Sequence, residues 1–176
     1  MSSRLPTPRG HALAAVAALA AAALVALAAP LVFDPAPRLV WNASASAPVG
    51  LWRVRPGAPI RVGDHVLAHA PPAARRLATQ RHYLPANVPM IKAVAAVSGD
   101  EVCAVGPRIR VNDRPVAVRR AADRRGRQLP WWSGCGRLSD GAVLLLNPAP
   151  DSFDGRYFGP VGKDAVIGRA TPLWLP

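Results

Sequence analysis

The sequence predicts a mainly antiparallel β domain carried on one N-terminal membrane-spanning helix. Three observations predict it. Residues 11–29, HALAAVAALAAAALVALAA, hold no charged side chain beyond a protonatable His11. From residue 60 onward, short apolar/polar alternations are separated by Gly-Asp, Ser-Gly-Asp, Ser-Asp-Gly and Gly-Lys-Asp, which is strand-and-turn punctuation. Twenty prolines in 176 residues leave little room for long helices elsewhere, because proline removes a backbone donor and clashes with the preceding turn.

The N-terminal run sits near the lower length bound for a spanning helix and is extended by Leu31, Val32 and Phe33. Arg4 and Arg9 precede it and no basic residue follows closely, which predicts an N-in, C-out orientation. The expected organisation is a cytoplasmic segment 1–10, an anchor 11–33 and an extracytoplasmic domain 34–176. Alanine dominates the run and is barely apolar on insertion scales. A cleaved signal peptide with an Ala-x-Ala site is therefore the competing reading.

Next comes Asn42-Ala-Ser-Ala-Ser-Ala-Pro-Val-Gly50, small, polar and punctuated. It reads either as a linker or as a loop that a substrate strand can approach. The segments PIRVGDHVLAHA, DEVCAV, RIRV, PVAVRR, GAVLLLN and DAVIGRA are the expected strands, with Asn112-Asp113 as a hairpin turn. Residues 71–84 are expected to form a short helix or a loop. Of five tryptophans, most are expected in the core, with Trp41 and Trp52 as candidates for a membrane-interface belt.

Formal net charge is +12, with twenty arginines against two lysines. Eight arginines and two aspartates lie between Arg108 and Arg127, within an Arg-rich excursion spanning 106–137. Outside the cytoplasm a nucleic-acid partner is not expected, and the nearest polyanion is the lipid surface. A solvated basic face is the plainer reading. The two cysteines, Cys103 and Cys135, most simply form one disulfide in an oxidising compartment; a catalytic cysteine is the alternative.

Familiar catalytic patterns fail on geometry. Asp64 and His65 are neighbours and would point to opposite faces of a strand. His65 and His69 would lie roughly 13 Å apart at about 3.3 Å per residue, and the zinc-helix glutamate is missing. GPVGKDA around Lys163 lacks the spacing and the hydroxyl of a phosphate loop. No metal or cofactor is expected.

Lys92 stands out in VPMIKAVAAV, where its neighbours from Val88 to Val97 are all apolar or proline. Desolvation would lower its pKa and make a neutral base; the competing reading has it snorkelling outward to water. A neutral lysine can deprotonate a serine hydroxyl, and Ser46 stands in a loop open enough to serve. Ser44 could aim a hydroxyl at the oxyanion that the Ser46 backbone N–H would also bind.

Ser46 in NASASAPVGLW, Lys92 in PMIKAVAAVSGDEV, and DSFDGRYFGPV at 151–161 resemble, in order and character, the bacterial type I signal peptidases. They resemble still more closely the TraF-type conjugative-transfer signal peptidases, with their Asn-x-Ser-x-Ser-x-Pro-x-Gly loop and paired cysteines. The resemblance runs from about residue 40 to 170. It implies a signal-peptidase-like β fold on one transmembrane helix in the bacterial inner membrane, with the catalytic domain in the periplasm. It implies Ser46 as nucleophile, Lys92 as general base, Ser44 at the oxyanion and Ser152 orienting the amine. It further implies an Asp154–Arg156 ion pair propping the site and Gly99-Asp100 as the turn after the lysine strand. The loop reads Ser46-Ala47-Pro48 where leader peptidases have Ser-Met-x-Pro.

The implied activity is removal of signal peptides, with a conjugative pilin precursor as substrate and cyclisation by acyl transfer as its narrowest form. A general signal peptidase and a non-catalytic anchored component of a secretion apparatus are the rival readings.

Overall fold

The computed structural model describes residues 8–33 and 36–176. The reading of residues 1–10 as a cytoplasmic segment oriented by Arg4 and Arg9 falls largely outside the described residues. The chain divides into two units, Met1–Ala36 and Pro37–Pro176. The first holds helix α1 (Pro8–Phe33), opened by a proline whose missing N–H costs a first turn nothing. Within it, Gly10–Ala29 is long and apolar enough to cross a membrane.

The second unit is mainly antiparallel β. Its strands are β1 (Leu39–Asn42), β2 (Gly50–Arg55), β3 (His65–Ala68), β4 (Met90–Ala96) and β5 (Glu101–Val105), then β6 (Arg108–Val111), β7 (Arg114–Val118), β8 (Gly134–Arg137), β9 (Leu144–Leu145) and β10 (Val166–Trp174). Helix α2 (Pro72–Gln80) lies between β3 and β4, and a single turn, α3 (Gly155–Phe158), precedes β10. One sheet has the order β1-β2-β10-β3-β4-β9 and the other β7-β6-β5-β8, every pairing antiparallel.

Several expectations meet the structure at single residues. Asn112 and Asp113 turn β6 into β7 with φ of 47° and 64°, the paired positive values of a type I′ hairpin turn. Residues 71–84 do contain a helix, α2, and its buried side is Ala74 and Ala78. In PIRVGDHVLAHA only His65–Ala68 is strand. Gly63 at φ 91° turns the chain before it, and the Arg61 N–H donates to Asp64 Oδ2 across that turn. Val66, Leu67 and Ala68 are all buried rather than alternating, because β3 lies inside the sheet with both faces covered.

The tryptophans correct the expectation of a mostly buried set. Trp52 is buried at 1% exposure, while Trp41, Trp131 and Trp174 are exposed. Trp52 therefore belongs to the core and not to an interface belt. It packs with Val54, Leu67 and Ile91, whereas Trp41 and Trp174 meet each other at the outside, ring centroids 5.8 Å apart.

A separate cluster, including Val102, Ile109, Leu138 and Leu144, joins the four-stranded sheet to the β4–β9 end of the six-stranded one. In the four-stranded sheet Cys103 of β5 faces Cys135 of β8 and is joined to it by a disulfide.

Candidate active site

The loop from Asn42 to Gly50 is shaped by its first residue. Asn42 ends β1, and its buried side chain turns back under the loop. The amide Nδ2 donates to the carbonyls of Ser44, Ala47 and Pro48 at 3.0, 3.2 and 2.9 Å, while Oδ1 accepts from the Ser44 N–H at 3.1 Å. Two hydrogens shared over three carbonyls replace the backbone ladder that such a loop lacks. Trp52 adds an indole N–H to the Pro48 carbonyl at 3.1 Å. The loop closes at Gly50, whose φ is 146° and where a Cβ would lie 2.3 Å from the Trp174 carbonyl oxygen. Only glycine passes there without displacing backbone.

Ser46 sits half-exposed on this loop. Its Oγ lies 3.0 Å from Ser44 Oγ, and its backbone N–H donates to the same Ser44 oxygen at 3.4 Å. The two groups assigned to an oxyanion are thus turned toward each other.

Lys92 comes from β4, between β3 and β9. Val66 is its partner across the β3 pairing, and the apolar cluster around Val66, Val94 and Leu145 encloses that part of the sheet. The side chain is buried, at 3% exposure, so it does not snorkel. Nζ donates to Ser152 Oγ at 2.7 Å and lies 3.3 Å from Ser46 Oγ. Burial lowers its pKa from the ordinary 10.5 to about 8; the Asp154 carboxylate opposes that shift and the Arg156 guanidinium adds to it.

The box that supplies Ser152 is held from inside. Asp154 is fully buried and caps α3, accepting from the Arg156 N–H at 3.2 Å and from Arg156 Nε at 2.8 Å. Arg156 is buried too, and its Nη2 donates to the Asn147 carbonyl at 2.6 Å. Gly155 brings this turn against β9 so closely that a Cβ would lie 2.8 Å from the Leu145 carbonyl oxygen. Gly99-Asp100 form the turn after β4, where the Val97 N–H and the Asn112 amide hold the Asp100 carboxyl below its usual range.

The structure therefore brings Ser44, Ser46, Lys92 and Ser152 into one hydrogen-bonded chain and sets Asp154 and Arg156 behind it. Cys103 and Cys135 lie in the other sheet. Glu101 approaches both cysteines, but their sulfurs are bonded to each other, which leaves one carboxylate and no metal site in that group.

Asn147 is the residue that sequence reading missed. Its Oδ1 accepts from the Ala93 N–H at 2.9 Å, and its Nδ2 donates to the Ile91 carbonyl at 3.1 Å and toward Ser46 Oγ at 3.4 Å. Its backbone N–H donates to Asp154 Oδ2 at 3.0 Å. It thus joins both strand neighbours of Lys92 to the serine and the buried carboxylate. Its one sequence signal was being the polar end of the buried run VLLLN.

Known proteins match along most of the chain. The model of the family described as signal peptidase, peptidase S26, matches residues 11–175. A probable conjugal transfer protein TraF of Sinorhizobium fredii is 38% identical over 139 residues, covering 73% of each chain. The conjugal transfer protein TraF of Agrobacterium fabrum is 33% identical, over 76% of this chain and 80% of the relative. A plasmid transfer protein TraF of Escherichia coli is 35% identical, over 75% of this chain and 80% of the relative. Among solved structures, a signal peptidase I from Enterococcus faecalis is 17% identical, covers 66% of this chain and 100% of that one, and superposes with a TM-score of 0.38.

Proposed function

Because the chain belongs to the signal peptidase family, peptidase S26, and has TraF conjugal-transfer proteins as relatives, we propose that it is a membrane-anchored serine endopeptidase that matures a conjugative pilin precursor. The observation that carries this reading is a single distance: Nζ of the buried Lys92 lies 3.3 Å from Ser46 Oγ, within reach for a proton transfer.

In the proposed reaction Ser46 Oγ attacks the carbonyl carbon that follows a small side chain, and its proton passes to Lys92 Nζ. An amine with a pKa of about 8 is roughly one-tenth neutral at pH 7, enough to act as base. Ser152 receives a hydrogen bond from Nζ, which leaves the amine lone pair free to face Ser46. The developing oxyanion takes the Ser46 N–H and the Ser44 hydroxyl away from each other; their 3.4 Å amide contact is weak enough to exchange. The tetrahedral adduct collapses, Lys92 returns the proton to the departing amine, and an ester to Ser46 remains. Water then releases a linear product; alternatively the amino terminus of the same substrate attacks and releases a cyclic one.

Gly10–Ala29 supports a single-pass anchor. With it goes the proposed placement: residues 1–10 in the cytoplasm, 11–33 in the inner membrane and 34–176 in the periplasm.

Ser46→Ala and Lys92→Ala should each abolish shortening of a pilin precursor while the circular dichroism spectrum stays unchanged. Full activity in either variant would end the dyad reading. A generic secretory precursor cleaved equally well would instead assign general signal-peptide removal. A product lighter by one water than the linear form identifies acyl transfer.

A further inference from the structure

The Arg-rich excursion has no part in the proposed reaction, yet it forms one wall of the cavity that holds the proposed nucleophile. That cavity has a volume of about 800 Å³, room for several residues of an extended peptide. Ser46, Lys92 and Ser152 lie along it, and Trp41, Met90 and Phe153 supply apolar lining. The rest of the wall includes Arg75 and Arg81, from α2 and just past its end, and Arg120, Arg124, Arg125 and Arg127 from the excursion. Against these six cations the cavity lining has two carboxylates, Asp123 and Asp151.

Both carboxylates are already occupied. Asp151 pairs with Arg124. Asp123 accepts the Tyr83 hydroxyl, Arg127 Nε at 2.7 Å and the backbone N–H groups of Arg125 and Arg127 at 2.9 Å, with Arg81 at 3.9 Å. Arg81 also donates to the Gln128 carbonyl at 2.7 Å. These bonds pin the excursion to the segment after α2 and set the wall rigidly. They leave the guanidinium groups of Arg75, Arg120 and Arg125 without a carboxylate partner among the described residues. Like charges gathered without counter-charge repel one another, and a groove lined by one sign of charge concentrates ligands of the other. Planar forked donors match carboxylates and phosphates alike, and of the two a polypeptide substrate supplies carboxylates.

We propose that this wall reads carboxylate groups of the polypeptide substrate, held within a few residues of the bond that Ser46 attacks. The proposal rests on the serine-peptidase reading of the same cavity and narrows its substrate class to acidic peptides. The carboxylate can be an aspartate or glutamate side chain or the end of the substrate chain.

The test measures binding, so that it does not depend on turnover. The full-length Ser46→Ala protein in detergent micelles is titrated into fluorescein-labelled peptides that share an Ala-x-Ala core followed by three Glu or three Gln, each made as the C-terminal acid and as the amide. The Glu peptides should bind about tenfold or more tightly than the Gln peptides at low salt. The gap should close between about 0.05 and 0.5 M salt. Arg120→Gln with Arg125→Gln should erase most of that preference. Arg108→Gln with Arg114→Gln, exposed on β6 and β7 and outside the cavity, should leave it intact. A preference that follows the acid-versus-amide arm instead assigns the chain end as the source.

Equal binding of Glu and Gln acids and amides, or equal losses in both double variants, overturns the proposal, since overall charge would then explain the data. So does loss of phosphatidylglycerol-vesicle binding in the Arg120/Arg125 variant with no Glu preference, which would give the wall to lipid headgroups. Failure of the wild-type protein to cleave any peptide would count against the peptidase reading and would leave these binding ratios standing.

Discussion

The two serines on either side of Lys92 are held in opposite ways. Ser46 rides a loop organised by one neutral side chain, Asn42, at the edge strand of the sheet, and the serine itself is half-exposed. Ser152 is buried and rides a box anchored by an ion pair, Asp154–Arg156, exposed at only 0% and 3%. The contrast separates two requirements of the proposed chemistry. A general base must be desolvated and aimed without error, so its support is ionic and internal. A nucleophile must meet a substrate, so its support lies beneath the loop and leaves the upper face open.

The largest expected effect breaks the internal side. Asp154→Ala leaves a buried guanidinium without its partner and should cost about 3–5 kcal/mol, read as a lower urea midpoint. The same change in an exposed pair such as Arg110–Asp113 should be close to neutral. A loss under 1 kcal/mol for Asp154→Ala would remove the distinction between the two supports.

The next effect has the opposite sign. Lys92 has a folded pKa of about 8 against an ordinary 10.5, so between those values the folded state binds fewer protons than the unfolded state. Stability therefore rises with pH from 8 to 10.5 and is lowest, as far as this group decides it, below pH 8. Replacing Lys92 with Met should stabilise the protein by about 2 kcal/mol at pH 7, after allowing for the lost bond to Ser152. The gain should vanish by about pH 10.5 as the wild type catches up. In the wild type, precursor cleavage should climb with pH through about 8 and then level off. A cleavage rate flat from pH 6 to 9 would contradict a titrating base.

The smallest effect lies on the open side. Asn42→Ala should cost about 1–2 kcal/mol, as loss of a capping-type side chain does, yet should reduce cleavage far more than that stability loss accounts for, because the Ser46 loop would lose its floor. Equal activity at matched folded fraction would show that the loop needs no such support.

Much of this was legible in the chain. The apolar N-terminal helix and the Asn112-Asp113 hairpin follow from hydropathy and turn chemistry, both local properties, whereas residues 71–84 read as either a helix or a loop. Trp52 and Trp41 show where local reading stops. Both sit beside the same loop, but one is core and the other exposed, because the Val40↔Trp52 and Trp41↔Leu51 register puts Trp52 on the face of the sheet that packs the core and Trp41 on the opposite face. Asn147 was not legible either, since an asparagine closing a buried run looks the same whether it caps a strand or bridges three elements.

By itself the sequence determined the periodicities, the turns and the family motifs that name Ser46, Lys92 and the 151–161 box. Tertiary structure alone decided which way Lys92 points. Its apolar neighbours suit a lysine that reaches outward as well as one that stays inside. The inward choice comes from what covers that face of β4, the Ser46 loop at 3.3 Å and Ser152 at 2.7 Å, the latter across a 60-residue separation. Burial is a property of what packs against a residue, and those partners are distant in sequence.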